Sequence, residues 1–133
     1  MIRATCFLVL LALCCGFTLC AEETAGDKNM LDTIKELDVL RETLSTIKDN
    51  DTLTAALPNV KANMRRLTRL MKDRTRIDKE IMNSIHKQYK EKADAAIEGW
   101  KKELRRIGAI DTHLSDAIEA AQREAFTEED SLP

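Results

Sequence analysis

Cysteine is missing from the whole sequence after residue 20: its four copies are Cys6, Cys14, Cys15 and Cys20. That absence excludes an internal disulfide, a thiolate nucleophile and a cysteine metal site from the rest of the chain. Glycine and proline are scarce, four and two in 133 residues, and aromatic residues make up 4%. No run of β-branched or aromatic residues alternates with period two, so no strand is expected. Nothing resembles a nucleophile elbow, a P-loop or a dinucleotide-binding loop. There is no repeat on the scale of about 20–50 residues.

What is present begins with the first twenty residues. One positive charge, Arg3, precedes an apolar run from Ala4 to Cys20, and the first acids are Glu22 and Glu23. This is the layout of a secretory signal, and the run is shorter than the ~20 residues of a spanning helix. Thr18 and Cys20 suit the two small-residue positions before a signal-peptidase cut, which predicts cleavage after Cys20. The protein is then exported, to the periplasm or beyond, with no membrane span after cleavage. A retained membrane anchor is the bland alternative. Lipidation of a signal cysteine is another, and it would tether the protein to a membrane. Cys14, Cys15 and Cys20 follow Leu13, Cys14 and Leu19, where a bacterial lipobox has a small residue. Without disulfides, the remaining ~113 residues must hold together by helix packing alone.

Ala, Leu, Lys, Arg and Glu dominate the rest, a composition that favours long helices. Residues 21–28 read as a flexible lead. Met30, Ile34, Leu37, Leu40, Leu44 and Ile47 recur at spacings of three and four, which predicts an amphipathic helix over 29–49. Asp49-Asn50-Asp51-Thr52 is a turn cluster with cap-forming residues. A helical turn then leads to Pro58, a residue suited to a helix's first turn. Val60, Met64, Leu67 and Met71 continue the stripe, which fails at Arg74, Thr75 and Asp78. It returns with Ile77, Ile81, Ile85, Tyr89, Ala93, Ile97, Trp100, Leu104 and Ile107.

An unbroken helix from 59 to 107 would be ~74 Å long, against ~30 Å of first helix to cover it. The alternative is a turn near Asp73–Thr75, with Thr75 as N-cap and Asp78 as an acid in the next first turn. The second reading is favoured and gives helices over 53–73 and 76–107. Gly108 suits the residue just past a helix end. Asp111 or Thr112 can cap a last helix over 111–126, with Leu114, Ile118, Ala121 and Ala125 as its stripe and Phe126 at its end. Residues 127–133 read as an acidic disordered tail. The expected fold is an all-α antiparallel bundle of three to four helices: a long helical hairpin plus a short C-terminal helix, within a single domain over 29–126.

Charge is segregated along the chain. Residues 21–60 carry four bases and nine acids, 61–106 fifteen and seven, and 107–133 one and seven. Lys61, Arg65, Arg69, Lys72, Arg76 and Lys79 would form one stripe if their segment were helical throughout. The bland explanation is that acidic outer helices pair with a basic central one and set the helix order. The sharper one is a surface for anionic polymer or anionic lipid. Nucleic acid is disfavoured, because no aromatics interleave with the stripe and an exported protein meets little of it.

Other chemistry finds little support. His86 is followed four residues on by Lys90, and a cation there opposes metal binding. His113 with Asp116 shares a helix face but supplies two ligands where a structural zinc site wants four. A haem held between a Met early in the first helix and a His late in the last would use Met30, but His113 opens the last helix, and no His follows. Glu36, Glu42, Glu80 and Glu103 each have a base within four residues, so helix-surface pairing accounts for them. Met64 and Met71 fit a core stripe better than a methionine-lined groove. Tyr89 and Trp100 fit a core with their polar tips at the rim. No catalytic, cofactor-binding or metal residue is assigned, and the protein is not expected to be an enzyme.

Ile47-Lys48-Asp49, then Thr52, then Ala55-Ala56-Leu57-Pro58 leads into a basic amphipathic run. This resembles a loose group of uncharacterised small exported bacterial all-helical proteins, some of them lipoproteins. In that group a helix ends in Ile/Val-Lys-Asp, a Ser/Thr turn follows, and Leu-Pro opens the next helix. The resemblance implies export and an all-helical fold and supplies no activity. The functional expectation is therefore a non-catalytic protein working through helix–helix contacts with itself or with a protein partner. Binding of anionic polymer or membrane surface through residues 61–79 is the alternative.

Overall fold

The computed structural model describes residues 24–130, so the expected signal segment, the expected cleavage after Cys20 and all four cysteines lie outside the described residues. Four helices account for nearly all of it, with no strand among the described residues: α1 (Ala25–Ser45), α2 (Asn50–Arg74), α3 (Lys79–Ile110) and α4 (Thr112–Asp130). The all-α class is as the composition predicts.

The caps explain why the boundaries differ from expectation. α1 begins four residues early, inside the expected flexible lead. Thr24 Oγ1 accepts from the Asp27 amide while the Asp27 carboxylate accepts from the Thr24 amide, a capping box. Asp49 and Thr52 build a second box that starts α2 at Asn50. Pro58 therefore lies inside α2 and does not open it. It is tolerated on an exposed face, where Thr54, whose carbonyl loses its amide partner, is exposed too.

α2 and α3 are separate helices, but the cap is not Thr75. The Thr75 hydroxyl donates back to the Lys72 carbonyl and closes α2. The Asp78 carboxylate accepts from the amides of Glu80 and Ile81 and opens α3 three residues later than expected. At the far end Gly108 stays helical, and α3 runs to Ile110. Asp111 does double duty: its amide donates to Ile107, and its side chain accepts from the His113 amide at the start of α4. α4 continues through Thr127–Asp130, where the acidic tail was expected to be disordered. Thr127 donates to the Arg123 carbonyl, and glutamates are good helix formers.

Consecutive helices alternate in direction, but sequence neighbours are not always spatial neighbours. α1 packs on α2 and α3, and α4 packs on α2 and α3. α2 and α3 thus lie across the diagonal. The contacts fix the directions. Asn29 reaches the Leu70 carbonyl and Glu36 meets Arg66, so α1 and α2 are antiparallel. Gly26 lies against Ile85, Gly99 against Arg41, and Arg106 reaches Leu44 and Ile47, so α1 and α3 run parallel. Lys61 pairs with Glu124, and α4 starts beside the start of α2, so this pair is parallel as well. The molecule is two antiparallel hairpins, α1–α2 and α3–α4, docked through parallel seams. Gly26 keeps the first seam close: a Cβ there would meet Ile85 Cδ1, the tip of a side chain that would have to turn aside.

The apolar stripes fill two cores. The larger takes Leu40, Leu44, Ile47, Leu53, Val60, Ile107, Leu114 and Ile118 from all four helices. The smaller holds Met30, Met82, Ile85 and Ala93, with Ile34, Ile77 and Tyr89 against them, and no α4 residue.

Candidate interaction surface

The basic residues singled out in the sequence do not share one face. Lys61, Arg65, Arg69 and Lys72 are on α2, Arg76 is in the following turn, and Lys79 is the first residue of α3. Lys61 Nζ lies 2.6 Å from Glu124 on α4, an ion pair between helices. Arg65, Arg69 and Lys72 each have a partner. Arg76 is 82% exposed and 3.5 Å from Asp73. Lys79 is exposed.

Three arginines outside that set hold helices together. Arg66 donates to Glu36 on α1 and to Asn63 Oδ1. Arg74 donates to Asn29 Oδ1 and Thr33 Oγ1, and burial pulls its pKa below the ordinary value. Arg106 donates to the carbonyls of Leu44 and Ile47 and to Glu103. α1 has no base in its last turn, and Arg106 supplies that charge from α3. These roles are invisible in sequence because the partners on other elements lie 30 to 62 residues away.

Both histidines are exposed. Among the described residues no group of three His, Asp or Glu side chains could hold a metal ion. Met30 is buried at one end of the bundle and His113 opens α4 at the other. Trp100 departs from expectation: its indole N–H is buried without a hydrogen-bond partner, not at the rim. The amide nitrogens of Asn63 and Gln122 are in the same condition. Among the described residues no helix is long and apolar enough to cross a membrane.

The methionine pair splits. Met64 is core, while Met71 is 53% exposed. Their helix face explains why. Lys61, Met64, Thr68, Met71 and Thr75 follow one another at spacings of three and four, a single stripe on α2. Met64 and Thr68 are buried, and Lys61 pairs with α4. Asp130, six residues past Glu124 on the parallel helix, stands level with about residue 67 of α2. Met71 lies past the end of α4, so the same stripe is bare there.

A groove of about 460 Å³ follows, lined by Met71, Arg74, Thr75, Ile77, Lys79 and Met82. Met71 and Arg74 come from α2, Lys79 and Met82 from α3, and Thr75 and Ile77 from the turn between them. Met71 belongs to the stripe that α4 covers lower down, while Arg74 and Met82 also meet α1. Ile81, beside Met82, is 52% exposed. Sequence reading missed this site because Met71, Ile77 and Ile81 all sit on stripes that read as core. The one available signal was the failure of the stripe between Arg74 and Asp78. The other grooves include one lined by Glu42, Thr43, Thr46, Thr52 and Ala55, and one between α1 and α2 where Glu36 and Arg66 are already paired.

Comparison of the chain with family models, with curated proteins and with solved structures gives no match in any of the three.

Proposed function

We propose that this is a non-catalytic, exported helical protein that acts through helix–helix contacts with itself or with an envelope or secreted partner. Its working surface is the open end of the bundle. The observation that carries this reading is the bare continuation of the α2 stripe, where Met71 lines a groove and is more than half exposed, with a second exposed apolar side chain, Ile81, at the same end of the bundle. Large apolar side chains clustered at a concave site are the usual mark of a contact surface. Export rests on the character of residues 1–20, with lipid anchoring as its alternative.

The test is a double substitution, Met71→Asp with Ile81→Asp. Both positions are exposed, so the thermal midpoint should hold. Association should vanish, whether seen as self-association in sedimentation or as a cross-link from position 71 to a partner. A double variant that associates like the parent rules this surface out.

A second reading is binding of anionic polymer or anionic lipid through Lys61, Arg65, Arg69, Lys72, Arg76 and Lys79. The strong exposure of Arg76 favours it, while the engagement of Lys61 with Glu124 removes one end of the stripe. Retention on heparin or anionic vesicles that disappears at moderate salt would support it. No retention at low salt would end it.

A further inference from the structure

We infer that Asn50 is an acceptor for an N-linked glycan, attached as the chain enters a secretory lumen. This rests on the export reading above and narrows it, from the periplasm or beyond to a lumen that holds an oligosaccharide transferase.

Asn50-Asp51-Thr52 has the Asn-x-Ser/Thr spacing that such transferases require, with no proline between. The chain has five asparagines, Asn29, Asn50, Asn59, Asn63 and Asn83, and Ser or Thr stands two residues on from Asn50 alone. The fold favours the same residue by a separate route. Asn29 and Asn63 are buried, and each accepts from an arginine. Asn50 is exposed, on the first residue of α2, at the turn that follows α1. Its backbone carbonyl accepts from Thr54 Oγ1, while its carboxamide forms no hydrogen bond among the described residues. Asp51 beside it is exposed as well. Asn59 and Asn83 are equally exposed but are followed by Val60-Lys61 and Ser84-Ile85. A sugar on Asn50 meets solvent at the closed end, and about 30 Å of helix separates it from Met71.

The donor is an oligosaccharide carried on a lipid diphosphate. Asn50 Nδ2 bonds to the anomeric carbon of the first sugar as the bond from that carbon to the diphosphate oxygen breaks. The lipid diphosphate leaves with the electron pair, and Nδ2 gives up one proton to a base of the transferase. Nothing is oxidised or reduced.

The fold also sets when this can happen. The hydroxyl two residues on is the handle by which the transferase presents the asparagine. In the folded protein that handle is occupied: Thr52 Oγ1 accepts from the amides of Lys48 and Asp49 and donates to the Asp49 carboxylate. Transfer therefore precedes closure of the Asp49–Thr52 box. Export supplies the interval, because Asn50 crosses the membrane before α3 and α4 have been made.

The test translates the full chain in the presence of pancreatic microsomes, whose lumen holds both donor and transferase. Entry is read as protection from added protease. The sugar is read with peptide-N-glycosidase, which releases it and leaves aspartate at position 50. The parent should be protected and carry one glycan, and Asn50→Gln should be protected and carry none. Thr52→Val, which removes the hydroxyl, should lose the glycan too. Asp49→Ala breaks the same box but leaves the acceptor motif whole, and should keep it. Asn59→Gln and Asn83→Gln should match the parent. A protected parent without sugar overturns the inference and leaves export standing. So does a sugar that survives Asn50→Gln, or one lost as fully with Asp49→Ala as with Thr52→Val. An unprotected chain takes down both the inference and the export on which it rests.

Discussion

The two ends of this bundle are built differently. At the end where α1 and α3 finish and α2 and α4 begin, four helices contribute to the core, and Ile47, Ile107 and Ile118 are wholly buried. Arg106 closes it by covering the carbonyls of Leu44 and Ile47. At the other end only α1, α2 and α3 remain, the core shrinks to a few residues, and Met71 and Ile81 stand in the open. The closed end supplies the enclosed core, and the open end presents a face with no partner among the described residues.

That contrast can be broken in graded ways. The largest effect should come from Ile118→Ala at the closed end. It removes a wholly buried side chain and should cost about 2–5 kcal/mol, read as a lower denaturant midpoint for the whole molecule. Ile85→Ala at the open end should cost about 2 kcal/mol, the bottom of that range, because the smaller core can relax. Its signature should be local, with hydrogen exchange rising first in the opening turns of α1 and α3. Equal exchange at both ends would show that the cores are one cooperative unit.

Next come the caps, one at each end. Asp49→Ala removes the box that starts α2 and should lower the thermal midpoint by less than either core substitution. The same carboxyls set an acid limit. Hydrogen bonds from Thr52 hold Asp49 below its ordinary pKa of 3.8. Bonds from Thr24, and then from Tyr89, do the same for Asp27. Both groups bind a proton less readily folded than unfolded. Their contribution is therefore complete above the ordinary carboxylate range and is lost as pH falls through 3.8 and below. Helicity measured against pH should decline in that window, and Asp49→Ala should flatten the decline. The smallest effect should be Lys61→Ala. The pair with Glu124 is partly exposed and should be worth less than about 1 kcal/mol by thermal unfolding.

Much of the architecture was legible in the sequence because apolar periodicity reports burial directly. Leu40, Leu44 and Ile47, then Ile107, Leu114 and Ile118, are core as their spacing predicts. The break after α2 was legible too, since no apolar residue occupies the core positions near Arg74 and Thr75. The cap was misplaced because Thr75 and Asp78 are both competent, and only the turn between them decides which hydroxyl or carboxylate faces forward. The helix order around the bundle was not legible. Spacing says that a face is buried and not which helix buries it, so α1 beside α3 and α2 beside α4 could not be read from stripes. For the same reason the basic stripe looked like one surface. Its first member is tied to α4, and its last two are not on α2 at all.

The diagonal crossing from α2 to α3 also sets the order in which the protein can assemble. Each hairpin closes over a few residues and can form quickly from its own neighbourhood. Neither parallel seam can form that way. Arg106 meets the carbonyl of Leu44 across 62 residues of chain, and Lys61 meets Glu124 across a comparable loop. Docking of the finished hairpins is thus the slow, entropy-limited event. During synthesis α1 stays without its main partner until nearly all of α3 has been made.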